Sequence, residues 1–304
     1  MLQVLQLPSI VLLLSALLAP PQTVERFQPP VKIDVDMVLV NAAVTDHDGR
    51  PVTGLDKNRF QLWEDKIQQE IRYVSVDDLP ISLGIVFDVS SSMAEKLPVS
   101  KNAVTKFLEA GNPQDEYALI EFANRPEVKQ EFTSDIKEFQ NRLSFVSASG
   151  ATALYDAVYL GIEGLRKSRN PRKALLLLTD GEDNHSRYSF EDVKRLAMES
   201  DIQLFAIGMS GFTIPTATKG HKPGPAVLQE LVDLTGGEVF FTTNVDRLDE
   251  ICSKISQSLR NEYVIGYAST NPAKDGKWRK LHVKVEPASH VSVHARSGYY
   301  ARMQ

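Results

Sequence analysis

Cysteine is nearly absent: Cys252 is the only one in 304 residues. No intramolecular disulfide can form, and neither a Cys-rich zinc site nor an iron–sulfur cluster can be assembled. A surplus of basic charge is missing too. Lys plus Arg number 34 against 39 Asp plus Glu, a formal net charge of -5. Proteins that track nucleic-acid phosphates usually carry a basic patch, so no nucleic-acid partner is expected. With 42% hydrophobic and 24% charged residues the composition is that of an ordinary globular chain. That argues against disorder, collagen-like repeats and a polytopic membrane protein. No internal repeat or low-complexity tract stands out.

Charge is lacking at the start as well, where the first charged residue is Glu25. Ile10 to Ala19 is apolar except for Ser15. The run is too short to span a bilayer and suits the h-region of a signal peptide, with Ala19 ahead of a cleavage point. No Lys or Arg precedes it, and Pro20 follows Ala19; both depart from the usual signal. Residues 1–24 are read as a signal peptide, with no stable transmembrane segment left after cleavage. The alternative is an uncleaved anchor or a hydrophobic tail. No cysteine lies near this end, so a lipid-modified cysteine is excluded.

Residues 25–32 hold a Pro-Pro pair and read as a linker. From Ile33 to Val76 the pattern is β. The run from Val31 to Asp46 alternates, with Val35, Met37 and Leu39 on one side. DHDGR at 46–50 is a hairpin turn, and RFQLWED and EIRYVSV are further short strands. At Leu79-Pro80 the pattern changes. ISLGIVFDV (81–89) is nearly continuous and apolar, as befits a strand covered on both faces. Strands at 117–123, 173–180, 202–208 and 238–243 then alternate with helices starting near Pro98, Asp135, Ala153, Ser189, Pro225 and Asp246. PEVKQEF (126–132) is expected as an antiparallel edge strand, and EVFFTT (238–243) as the last buried one. Cys252 falls on the apolar stripe of the last helix, beside Leu248, Ile251, Ile255 and Leu259, as a core thiol. After residue 260, β character returns.

This alternation over 80–260 predicts an α/β fold, a doubly wound and mostly parallel sheet. The flanks, 25–79 and 261–304, are each too short to bury much surface alone. Together they approach the ~100 residues of a typical β-sandwich. The expectation is one sandwich built from both flanks, with the α/β domain inserted into it. Two separate β appendages are the rival arrangement. Trp63, Trp278, Tyr299 and Tyr300 are expected in the sandwich core or at its seam.

The chemistry gathers at strand ends. The first α/β strand ends in DVSSS, which places Asp88, Ser90 and Ser92 at i, i+2 and i+4. SGATALYDA puts Thr152 in a loop just before a helix, and LLLLTDGED ends another strand at Asp180. Open α/β sheets bind ligands at this carboxyl edge. The set offers only hard oxygen, which suits Mg2+, with Mn2+ or Ca2+ as alternatives, and would not select zinc or copper. A lone D-x-S-x-S is usually a solvated loop; three loops at one rim are much harder to obtain by chance.

DVSSSM, ATALYDA and LLLLTDGEDN resemble the metal-ion-dependent adhesion site of von Willebrand factor type A domains. VTDHDGRPVTGLDKNRFQLWEDK and the terminal YVIGYASTN and HARSGYYA resemble a bacterial subfamily first described in acidobacteria. Ala151 stands where the family often has a second glycine. The resemblance implies that Ser90 and Ser92 bind the metal directly, that Thr152 binds directly or through water, and that Asp88 and Asp180 act mostly through water and hydrogen bonds. An ion held by hydroxyls and waters keeps much of its charge and seeks one more anionic oxygen. A partner's Asp or Glu carboxylate supplies it. The implied protein is an exported, periplasmic or secreted binding module with no catalytic residues.

Two other functions compete. One is a Mg2+-dependent phosphotransferase or hydrolase with Asp88 as nucleophile, although Ser90 stands where that chemistry wants a second acid and no phosphate-binding lysine is identified. The other is a scaffold with a vestigial site. His185 is read as a solvated loop histidine. GMSGF (208–212) lacks the second glycine of a nucleophile elbow, and Asp46 with Asp48 lacks the remainder of an EF-hand loop.

Overall fold

The structure is a computed structural model that describes residues 37–76, 78–180, 183–209, 223–287 and 290–303. All of them belong to one contact unit, Asp36–Gln304. The N-terminal segment read as a signal peptide and most of GMSGF lie outside the described residues. Among the described residues, no helix is long and apolar enough to cross a membrane.

Four strands come first: Met37–Asp46 (β1), Phe60–Glu64 (β2), Ile67–Gln69 (β3) and Ile71–Val76 (β4). Alternation follows with Ile81–Asp88 (β5), Leu97–Glu109 (α1), Glu116–Phe122 (β6), Pro126–Thr133 (β7), Ile136–Ser144 (α2), Leu154–Arg166 (α3) and Arg172–Thr179 (β8). It continues with Phe190–Met198 (α4), Gln203–Gly208 (β9), Gly224–Thr235 (α5), Val239–Phe241 (β10) and Leu248–Arg260 (α6). Tyr263–Ala268 (β11), Trp278–Val285 (β12), Val291–Ala295 (β13) and Gly298–Tyr300 (β14) complete the chain.

The central sheet has six strands in the order β10-β9-β8-β5-β6-β7, all parallel except the edge strand β7. Every residue of β5 is buried, because helices cover both faces of the sheet. Phe87, Leu176 and Leu178 point to the face covered by α1, α2 and α6. Val86, Leu175 and Leu177 point to the other, under α3, α4 and α5. The period of two along each strand thus feeds two cores at once. Helix boundaries have local causes. Asp135 accepts from the backbone N–H of Lys137 and Glu138 to start α2, and Ser189 with Asp192 forms a reciprocal capping box for α4. Gly236 closes α5 in the left-handed conformation at φ 81, which glycine adopts without strain.

The flanks form two four-stranded antiparallel sheets, β13-β1-β11-β4 and β14-β12-β2-β3. Each sheet mixes strands from both ends of the chain. Both neighbours of β1 come from beyond residue 260. Val40, Ala42, Phe60, Leu62, Tyr263, Ile265, Leu281 and Val283 share one hydrophobic cluster between the sheets.

Three details differ from the sequence reading. In β1, Met37 and Leu39 face outward and are 44% and 48% exposed, although Ala43 and Thr45 further along the same side are buried. The core takes Val40, Ala42 and Val44 instead, because the register pairs Val40 with Ile265 and Ala42 with Tyr263, whose side chains point inward. Met37 and Leu39 are as apolar as Val38 and Val40, so the start of the strand does not choose between the two sets; the polar Asn41 and Thr45 fall on the Met37 side. EVFFTT is not a buried strand: β10 pairs with β9 alone, at the sheet edge, and is half-buried to exposed. Finally, Trp63, Trp278 and Tyr300 lie outside the flank core. Alternation along β2 turns Phe60, Leu62 and Glu64 inward and Trp63 outward, where its ring meets His282 at 5.7 Å. Trp278 packs edge-on against Tyr300 at 5.0 Å. Tyr299 does pack against the core and donates its hydroxyl to Glu64 across 2.9 Å. The fully buried aromatics there are Tyr263 and Tyr267.

Candidate functional site

The strands β5 and β8 are parallel neighbours, with Phe87 opposite Leu178. From β5 the chain leaves toward β6 on one side, while β8 lies on the other. The carboxyl ends of β5 and β8 therefore flank the point where strand order reverses, where open α/β sheets leave a crevice. Asp88 is the last residue of β5, and Asp180 immediately follows Thr179, the last of β8.

Asp88 is fully buried. Its Oδ1 accepts the Ser90 backbone N–H at 2.8 Å, and its Oδ2 accepts the Thr179 hydroxyl at 2.6 Å. The Ser90 and Ser92 hydroxyls lie 3.1 Å apart, and Ser92 donates to Asp180 Oδ1 at 2.8 Å. Asp180 Oδ2 pairs with the ammonium of Lys96. Four of the expected residues are thus joined in one hydrogen-bonded chain. Burial raises the Asp88 carboxyl above its usual range and the nearby Asp180 charge adds to this, while the bonds from Thr179 and Ser90 oppose it. Such a carboxylate would gain from a nearby positive charge.

Thr152 is 4% exposed and reaches the same rim through its loop. Ser149 N–H donates to the Val89 carbonyl at 2.7 Å and Ala153 N–H to the Ala123 carbonyl at 2.8 Å. The Ser91 N–H donates to the Gly150 carbonyl at 3.2 Å. Gly150 has φ +86, and a Cβ there would fall 2.8 Å from the Asn124 Oδ1. Glycine is required there because Asn124 packs against it and accepts the Ala151 N–H at 2.8 Å. Asn184 then exchanges two bonds with Thr152: its Oδ1 accepts the Thr152 N–H at 2.9 Å, and its own N–H donates to the Thr152 carbonyl at 3.0 Å.

Sequence reasoning missed Thr179, Lys96, Asn124, Asn184 and Asp156. Asp156, 4% exposed, accepts from the backbone N–H of Arg187 and of Tyr188 at 2.9 Å each, which holds the segment after β8 against α3. Thr179 and Asn184 both lie within the LLLLTDGEDN stretch, so their position beside Asp180 was the available signal. Nothing in the local sequence points to Asn124 or Lys96.

The donor set fits a divalent cation. The Ser90 and Ser92 hydroxyls and the Asp88 and Asp180 carboxylates are hard oxygen donors of the kind such an ion takes, with the Lys96 ammonium paired to Asp180 beside them. His185 is exposed. A second cluster, Asp46, His47 and Asp48, brings its ligand atoms within 4.8 Å of one another at the turn after β1. Its chemistry is that of the turn: Asp46 Oδ1 accepts the N–H of Asp48 and of Arg50 at 2.9 Å each, and Asp48 pairs with Arg50.

Comparison with known proteins bears on the same stretch. Residues 83–182 match the von Willebrand factor type A domain family. Over 163 residues the chain is 28% identical to inter alpha-trypsin inhibitor heavy chain 4 of Mus musculus, covering 47% of this chain and 17% of that protein. It is 23% identical over 184 residues to an uncharacterized protein of Borreliella burgdorferi, covering 53% of each. The chain thus spans well under two thirds of either relative. Its fold is similar to that of a von Willebrand factor type A protein from Catenulispora acidiphila, with a TM-score of 0.52, 12% identity, and coverage of 89% of this chain and 74% of that one. The residues matched run from β5 through Asp88, Ser90, Ser92 and the Thr152 loop to Asp180, and the chain carries a von Willebrand factor type A domain.

Proposed function

We propose that the protein is a binding module that recognises a partner protein's Asp or Glu carboxylate through a divalent cation held by Asp88, Ser90, Ser92, Thr152 and Asp180. The observation that carries this reading is the run of contacts from Ser90 through Ser92 to Asp180, beside the buried Asp88 at the switch point of the sheet. In this reading the Ser90 and Ser92 hydroxyls bind the ion, with Thr152 from its loop. Asp88 and Asp180 orient them and supply compensating charge. The ion, Mg2+ or alternatively Mn2+ or Ca2+, would supply a positive centre able to take one further carboxylate. Asp88 is fully buried with both oxygens engaged, which favours this role over that of a nucleophile.

We also propose that the type A domain is inserted into a sandwich made of both flanks, which the shared flank core supports, and that the protein is exported. The functional reading is tested by a pull-down with the full chain in Mg2+ and in chelator, read by mass spectrometry. Partners captured in Mg2+, lost in chelator and lost with Ser90→Ala support it. A partner set unchanged by chelation counts against it.

A further inference from the structure

Both oxygens of the Asp180 carboxylate are engaged. Ser92 donates to Oδ1 at 2.8 Å, and the Lys96 ammonium takes Oδ2. The Asp180 side chain is 2% exposed and that of Lys96 is 28% exposed. Lys96 stands at the N-terminal end of α1, its backbone N–H bonded to the Met93 carbonyl at 2.9 Å and its carbonyl to the Ser100 N–H at 3.0 Å. The base of the side chain is therefore fixed, and four methylenes separate it from the ammonium. Asp88 takes its hydrogen bonds from the Ser90 backbone and the Thr179 hydroxyl, which are neutral. Among the described contacts of these two buried carboxylates, Lys96 supplies the one positive charge.

We infer that Lys96 is a tethered competitor of the divalent cation: its ammonium neutralises Asp180 and is displaced toward solvent when the ion binds. The inference rests on the metal-site reading above and adds a regulatory part to it. Two acidic groups with one ammonium leave one negative charge. A divalent ion placed beside Ser90 and Ser92 would turn that into a net positive charge, with ion and ammonium sharing one carboxylate in a partly buried crevice, where like charges repel strongly. Lys96 has a route away. It is partly exposed and flexible, and nothing but the ion pair fixes its far end among the described contacts. Its displacement costs the protein the Asp180 pair, and that cost is subtracted from the affinity for the ion. The site would then hold its ion loosely without a partner and more firmly once a partner carboxylate adds negative charge.

The test compares the full chain with Lys96→Gln and Lys96→Arg by titration with Mg2+. Removing the charge should tighten Mg2+ binding about tenfold or more, while Lys96→Arg, which keeps it, should stay within about twofold of the parent. In chelator, Lys96→Gln should melt lower than the parent because Asp180 loses its counter-charge. A second readout needs no variant. Acetylation of the Lys96 amine by a soluble active ester, followed by mass spectrometry, should speed up on adding Mg2+. A parent that binds Mg2+ and a Gln variant that binds no tighter would overturn the inference and leave the metal-site reading standing. So would Lys96 labelling that is unchanged by Mg2+ in a protein that binds it. Mg2+ binding by neither parent nor Gln variant would sink both.

Discussion

Thr179 donates its hydroxyl to Asp88 Oδ2 across 2.6 Å, from the last residue of one strand to the last residue of its parallel neighbour. The bond links the carboxyl ends of the two strands and holds a fully buried carboxylate between them. Thr179→Val keeps the shape and removes the donor. It should cost about 1–3 kcal/mol in urea denaturation, the penalty for an unsatisfied buried acceptor, and should weaken Mg2+ binding. A variant as stable as the parent would show that the bond does not position Asp88.

Asn184 holds the Thr152 loop by its Oδ1 at 2.9 Å. Asn184→Ala should speed hydrogen exchange of the Thr152 amide about five- to tenfold, as expected from losing one hydrogen bond worth about 1 kcal/mol. If Thr152 tunes affinity for the partner more than for the ion, Thr152→Ala should weaken partner binding more than Mg2+ binding. Equal losses of metal and partner binding would show that Thr152 serves the ion alone.

Much of this site was legible in the sequence because hard oxygens sat at the ends of strands that the sequence also revealed. Continuous apolar runs such as ISLGIVFDV mark strands covered on both faces, and their ends place Asp88 and Asp180 on one rim. Lys96 and Asn124 were not legible, since their partners lie 84 and 27 residues away and are chosen by the fold. The inward face at the start of β1 was hidden for a related reason: Met37 and Leu39 are as apolar as Val38 and Val40, and pairing with β11 turns Val40 inward. Trp63 misled because a large aromatic suggests burial, while alternation along β2 puts it on the outer face.

The strand pairing refines where the chain can be divided. Residues 25–79 alone should not fold, since both neighbours of β1 come from the other end of the chain. Residues 80–260 should fold, but Arg172, 7% exposed, donates to Glu262 Oε2 at 2.5 Å, and Gln203 donates to its Oε1 at 2.5 Å. A fragment ending at 262 should therefore exceed one ending at 260 by up to about 3 kcal/mol in urea, because it keeps the counter-charge of Arg172. Equal stabilities would show that water satisfies Arg172 at the new end.

Burial pushes the Cys252 thiol up to about 12, with the Asp249 charge adding to the effect. Iodoacetamide at pH 8 should leave it unmodified in the folded protein and alkylate it in urea. The sign of the pH effect follows. An unfolded thiol loses its proton near 9.0, whereas the folded one keeps it to about 12. Its contribution to stability is full below pH 9 and is lost progressively as pH rises toward 12. Alkylation of the native protein at the rate of the unfolded one would contradict its place in the core.

The most direct measurement is calorimetric titration of Mg2+ into the full chain and into its Asp88→Ala and Asp180→Ala variants, with circular dichroism confirming that each is folded. The account predicts that the parent binds Mg2+ and that both variants lose binding while keeping the fold, since the rim contributes carboxylates to the ion and little to either core. Folded variants that bind Mg2+ as tightly as the parent would contradict it and leave the protein a scaffold without a working metal site.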